Sequence, residues 1–258
     1  MNDSLFNAAF AFYLLALVAF GWGHMAKSPK VALAGEGFLG LGLALHTGFI
    51  GVRWVQAGRA PMSNMYESLV ILGWGVVVLS FAFRRMAKEP LLRLGFCGLA
   101  LVVMAGASSF DKSIRPLMPA LQSNWLLYHV IVTMLGYAAF GLAAVAGVII
   151  LLDSELPQDS QVEAFGYRAV SLGFLMLTAG IILGAVWANQ AWGTYWGWDP
   201  KETWSLITWF AYAIILHLRR TKGWRGRTFA WLSIAGVLFV LFTYFGVNYL
   251  LSGLHSYA

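Results

Sequence analysis

Cysteine occurs once in 258 residues, and charge is scarce: Asp, Glu, Lys and Arg together make up 11% of the chain. A single cysteine, Cys97, excludes an internal disulfide, and the absence of CxxCH means that the chain is not itself a c-type cytochrome. Cys97 lies in the apolar run LGFCGLALVV and reads as a small buried side chain. The amino-terminal segment MNDSLFNAAF has no basic n-region and no evident cleavage site, so it reads as the start of a retained helix. No internal repeat or low-complexity linker interrupts the chain, which reads as one domain over residues 1–258.

Apolar residues fill the space that charge leaves. Hydrophobic types reach 60% and mean hydropathy is +0.71. A soluble domain of this size cannot hide that much apolar surface. Stretches of about 20 apolar residues cross a bilayer, and the pattern predicts about eight helices, at residues 5–23, 34–53, 66–85, 91–109, 125–152, 165–187, 203–219 and 228–250. The expected fold is therefore an all-α polytopic membrane bundle. Glycines in the second helix, GEGFLGLGLALHTGFIG, suit close packing.

The net charge of +6 reports topology more than partners. The basic residues sit in short connections beside apolar spans, which argues against nucleic-acid binding. With an external amino terminus, the inner connections hold twelve Lys and Arg: Lys27, Lys30, Arg84, Arg85, Lys88, Arg93, Arg168, Arg219, Arg220, Lys222, Arg225 and Arg227. The outer connections hold five: Arg53, Arg59, Lys112, Arg115 and Lys201. Twelve against five places both termini outside. The same count places the stretch AWGTYWGWDPKETWSLITW, residues 191–209, at the outer face.

That stretch holds five tryptophans and a tyrosine around Asp199, Lys201 and Glu202. WDPKETW contains a helix start: Asp199 as N-cap, Pro200 in the first turn and Glu202 as the reciprocal partner of a capping box. The rings have two readings, an interfacial belt or a platform for a large planar ligand. Trp192, Trp196 and Trp198 crowd one external segment more densely than anchoring requires. If residues 192–199 were helical, Trp192, Trp196 and Asp199 would share a face.

The five histidines divide by position. His129, near the outer start of the fifth helix, and His255, in the outer tail, lie on the same side as the tryptophans. Each alone reads first as an ordinary interfacial ring; together, beside the tryptophans, they offer two neutral imidazoles, the axial set of a haem iron. His217, beside Arg219 and Arg220, reads as a helix-end residue or as a ligand. His46, near the middle of the second helix, is an intramembrane ionisable group or a helix-to-helix hydrogen bond. His24 reads as interfacial. No predicted helix carries two histidines, which argues against a transmembrane electron wire built by this chain alone.

WGTYWGWDPKETWSLITW resembles the tryptophan-rich WWD signature of haem-handling proteins, in the form found in the CcsA/ResC family of System II cytochrome c biogenesis. PMSNMYESL at 61–69, LQSNWLLYH at 121–129, LHLRR at 216–220 and the terminal YFGVNYLLSGLHSY extend the resemblance in order. The resemblance implies a subunit of a cytochrome c synthase of the haem lyase type, active with a CcsB/ResB partner. Such a complex brings haem b to the outer side and attaches it to the CxxCH of apocytochrome c. By that resemblance His129 and His255 ligate an external haem, and His217 ligates a second haem within the membrane opposite a partner histidine. Trp192, Trp196 and Trp198 pack the ring, and Asp199 stands at its edge or only caps the helix. A bacterial inner membrane is the implied location, with a thylakoid membrane the alternative. Three rivals remain: a CcmC- or CcmF-like delivery protein, a non-catalytic regulator retaining the fold, and a permease unrelated to haem. The DPKETWSL continuation and the GLHSY tail favour the CcsA form.

Overall fold

The computed structural model describes residues 2–86, 89–153, 155–157 and 160–253. Among these residues every regular element is helical: α1 (Asn2–Met25), α2 (Pro29–Ala57), α3 (Met65–Ala82), α4 (Pro90–Ala107), a 3-10 turn (Pro119–Leu121), α5 (Asn124–Leu152), α6 (Gln161–Trp192), α7 (Pro200–Lys222), α8 (Gly226–Leu241), a π turn (Phe242–Gly246) and α9 (Val247–Leu250). In lipid each backbone N–H and C=O must be satisfied within the chain, and helices do this segment by segment. Seven of the helices, counting α8 through α9 as one, are long and apolar enough to cross a membrane. The eighth expected crossing is α7. Its stretch 203–218 has no Asp, Glu, Lys or Arg, but its Trp, Thr, Ser and Tyr residues make it less apolar than the rest.

Helix boundaries follow local chemistry. Asn64 accepts from the Glu67 N–H at 2.8 Å, Ser123 from Trp125 and Ser160 from Glu163, satisfying donors that a first turn leaves open. Proline occupies the first turns of α2, α4 and α7, where its missing N–H costs nothing. The Asp199–Glu202 capping box is formed as the sequence predicts. One boundary differs. α6 continues to Trp192, five residues past the expected end, and stops at Gly193 with φ +77°. Residues 193–199 are therefore not helical, and Trp192 does not share a helical face with Trp196 and Asp199. Thirty-two residues rise about 48 Å against a hydrocarbon core of about 30 Å, so α6 extends beyond the core.

The chain forms two compact units, residues 1–115 and 116–258. In the first, α1 packs along α2, and α4 packs on α1 and α3. Gly42 of α2 lies under the Tyr13 ring, where an added Cβ would stand 2.6 Å from ring carbons. Gly35, under the Phe20 ring, and Gly42 thus serve the close packing that the sequence suggests, whereas a Cβ at Gly37, Gly48 or Gly51 would meet no neighbour within 4 Å. The Tyr13 hydroxyl meets Nδ1 of the fully buried His46 at 3.2 Å, so His46 does make a helix-to-helix hydrogen bond. Cys97 is buried, its thiol donating to the Tyr13 carbonyl.

At the α2–α3 end of this unit, the buried Glu67 carboxylate receives two guanidiniums. Arg53 approaches Oε1 at 2.9 Å and Arg59 approaches Oε2 at 3.0 Å. The Ser63 N–H and hydroxyl also donate to Oε2. Arg53 and Arg59 direct further donors to the carbonyls of Lys112 and Arg115. Arg53 lies inside α2 and is buried, rather than in an exposed connection.

In the second unit, α5 and α6 pack along each other, α8 covers α5, and α7 lies against α6 and α8. One end is held by Glu163 of α6, which takes Arg219 of α7 and the Gly226 N–H of α8. At the other end the Lys201 ammonium donates to Asn248 Oδ1 at 2.7 Å. The antiparallel course of α5–α8 therefore gathers the starts of α5 and α7 with the ends of α6 and α8.

Candidate functional site

The site grows from that second end. The start of α5 is tied to the extended end of α6: Ser123 Oγ donates to Gln190 Oε1 at 2.5 Å, and Trp187 Nε1 donates to the Ala120 carbonyl at 2.9 Å. These ties hold Trp187 buried. His129, half-buried on α5, faces the same stretch of α6. Its Nδ1 lies 2.7 Å from the Gly180 carbonyl oxygen. A carbonyl only accepts, so Nδ1 carries the proton and Nε2 of the neutral ring carries the lone pair.

The His129 ring lies nearly parallel to Trp187, 14° between planes and 6.3 Å between centroids. Trp187 in turn meets Trp192 edge to face at 4.8 Å. Gly184 makes the approach of His129 possible: a methyl there would stand 2.8 Å from Cε1 and Nδ1 of the imidazole. The buried Thr133 hydroxyl has no hydrogen-bond partner among the described residues and lies against Gly180.

The connection 193–199 carries the next rings. Trp196 and Trp198 meet edge to face at 5.7 Å. Trp198 is 68% exposed and has φ +57°. The left-handed region is unfavourable for a bulky side chain, and such strain collects at functional positions. The loop is held from below by Glu202, whose Oε2 accepts from the Gly197 N–H at 2.8 Å and the Asp199 N–H at 3.2 Å. Asp199 Oδ2 accepts from the Lys201 N–H at 3.0 Å. A cap of this kind contributes about 0.5–2 kcal/mol. Lys201 precedes the uncharged stretch of α7; burial lowers its ammonium to about 8, while the Asp199 carboxylate acts to raise it.

The five tryptophans of the patch therefore divide. Trp192 ends α6 beside Trp187, Trp196 and Trp198 pair in the loop, and the remaining two are packed within the unit. Trp204 lies on Phe242 at 4.1 Å, and Trp209 packs on Phe174 and donates to Thr178 Oγ1 at 2.8 Å.

His217 is exposed, close to the far end of α7. Seventeen residues separate it from Pro200, about 25 Å along the helix, so it belongs to a different level from His129. His255 lies outside the described residues. Gly253, two residues earlier in the chain, packs on Asp199 and Pro200; a Cβ added there would stand only 2.5 Å from Asp199 Oδ1. Three residues of the site were not singled out from the sequence: Gly180, Gly184 and Trp187. Their signal was present as a four-residue glycine spacing, G-x-x-x-G, followed closely by an aromatic.

Comparison with known proteins places this geometry in context. The family described as cytochrome c assembly protein matches residues 62–255. The cytochrome c biogenesis protein CcsA of Synechococcus elongatus is 35% identical over 319 residues, covering 100% of this chain and 97% of that protein. CcsA of Guillardia theta is 36% identical over 284 residues, with 97% and 94% covered. Among solved structures, cytochrome c haem lyase CcmF superposes with a TM-score of 0.73 at 17% identity. That match covers 95% of this chain and 46% of CcmF, so the chain spans less than half of CcmF and shares its fold.

Proposed function

Because the chain belongs to the cytochrome c assembly protein family and, within it, to the CcsA proteins, we propose that it presents haem b to apocytochrome c as part of a cytochrome c synthase. It is an integral membrane, haem-handling subunit of cytochrome c biogenesis. The synthase acts with a CcsB/ResB-type partner, and haem is its substrate.

His129 is the observation that carries this reading. The Gly180 carbonyl accepts a hydrogen bond from Nδ1–H, which leaves the Nε2 lone pair as the ligating one. This is the tautomer that an axial imidazole requires. His255 supplies the second imidazole, supported by the packing of Gly253 beside Asp199. Trp192, Trp196 and Trp198 offer apolar faces to a macrocycle, and the exposed, strained Trp198 can close over it. Asp199 and Glu202 keep the loop in shape and stand at its edge. His217 serves a second site shared with the partner, consistent with its exposed position on α7.

Bound haem contributes the reactive vinyl groups. Each CxxCH thiol adds across one vinyl: a C–S bond forms, the thiol S–H breaks, and its proton ends on the neighbouring vinyl carbon. No net oxidation occurs. The chain's own contribution is to hold iron and ring in register with the peptide and keep water from the reacting faces, which makes the addition local.

Purification of the chain with its CcsB/ResB-type partner should give a low-spin bis-imidazole absorption spectrum, and the chain alone should retain less haem. A complex without haem would refute the assignment. The charge distribution supports an outward-facing site, in a bacterial inner membrane or its thylakoid counterpart. In Trp198→Cys, a membrane-impermeant thiol reagent applied from outside should label the new cysteine, with little background from buried Cys97. Labelling only from the inner side would reverse the orientation.

A further inference from the structure

The geometry points to a seat on α6, from Gly180 to Trp187, that sets the tautomer and ring plane of His129; we propose that Gly184 is its positioning residue. The inference rests on His129 being an iron ligand and adds what makes that ligand competent.

Three contacts define the seat. Gly180 holds the Nδ1 proton. Gly184 leaves the space that the imidazole fills, since a methyl would lie 2.8 Å from Cε1 and Nδ1. Trp187 lies nearly parallel to the ring and is itself anchored through the Ala120 carbonyl. Together they fix the ring's height, plane and protonated nitrogen. Donation from Nδ1–H to a carbonyl makes Nε2 more basic. A more basic axial ligand favours ferric over ferrous iron and lowers the potential. The seat therefore acts on the iron without touching it.

The blander account is that Gly180 and Gly184 only let α5 and α6 approach. Gly173, on the same interface, separates the two accounts. A methyl at Gly173 would stand 2.5 Å from the Phe140 ring, a tighter clash than at Gly184. Phe140 lies eleven residues beyond His129, about 16 Å along α5. Gly173→Ala therefore disturbs helix packing and spares the imidazole, whereas Gly184→Ala reaches the imidazole directly.

The test uses the full chain in complex with its partner subunit. In Gly184→Ala, the external low-spin ferric signal should weaken, haem retention should fall about 10- to 100-fold, and the potential of the remaining haem should rise. Gly173→Ala should keep the wild-type signal and potential. A Gly184→Ala complex with unchanged spectrum and potential, or a Gly173→Ala complex with the same loss, would overturn the seat. His129→Ala with an intact spectrum would instead remove the ligand assignment beneath it.

A second pair guards against poor accumulation of Gly184→Ala. In His129→Gly, added imidazole must enter the same space beside residue 184, so per folded complex it should restore the low-spin signal with Gly there and much less with Ala. Equal restoration would mean that Gly184 does not shape the imidazole's place, and the seat would fail.

Discussion

Alanine at both His129 and His255 is expected to remove the bis-imidazole spectrum from the purified complex and to abolish holocytochrome formation. Loss of a hydrogen bond that orients a ligating imidazole already costs about 10- to 100-fold, and loss of both axial ligands must cost more. His129→Ala alone should leave a ligand position that added imidazole refills, because a small imidazole can occupy the space beside Gly184 and Trp187. The same double variant should still fold. His129 is only half-buried, and its hydrogen bond to Gly180 goes to a backbone carbonyl. Normal holocytochrome yield with a normal spectrum would end the proposal that these imidazoles bind the substrate iron.

Removal of the Glu67 carboxylate should have the largest effect on stability. Glu67→Ala leaves Arg53 and Arg59 facing one another without their shared counter-charge, and both side chains are almost wholly removed from solvent. Breaking a buried pair in this way costs about 3–5 kcal/mol, a large share of the roughly 5–15 kcal/mol that holds a domain together. The expected result is loss of folded chain from the membrane and a lower unfolding temperature of whatever remains in detergent. Glu67→Gln keeps the shape and one accepting oxygen, but its NH2 faces groups that donate, so it should spare only a small part of the loss. An apolar residue at both 53 and 67 should recover part of the loss, because uncompensated charge, rather than missing volume, drives the damage. Thermal unfolding of Glu67→Ala that matches the parent chain would show that the cluster is not a structural anchor.

This cluster also shows where a sequence misleads. Arg53 and Arg59 enter the charge count as outer-connection residues. In the folded chain both are committed to one carboxylate and to the carbonyls of Lys112 and Arg115. Nothing in their spacing reveals this, because Lys112 and Arg115 approach from fifty to sixty residues away.

The start of α7 and the end of α6 differ in the same way. The first was legible because a capping box is written within four consecutive residues. The second was not. ANQAW lacks an apolar period and permits either helix or loop. Gln190 and Trp187 decide the matter through bonds to Ser123 and Ala120.

The sequence by itself determined an all-helical membrane chain, its glycine-packed second helix, the helix start at Asp199 and the histidines and tryptophans worth testing. All of these depend on composition and on neighbours within a turn or two, where covalent spacing dictates geometry. Only the tertiary structure decided which nitrogen of His129 carries the proton, which tryptophans remain available in the loop, and that Gly184 makes room for the imidazole. These properties arise where α5 meets α6 and where α7 meets its neighbours, between residues some thirty to fifty-five positions apart, and close contact at that range is a product of packing.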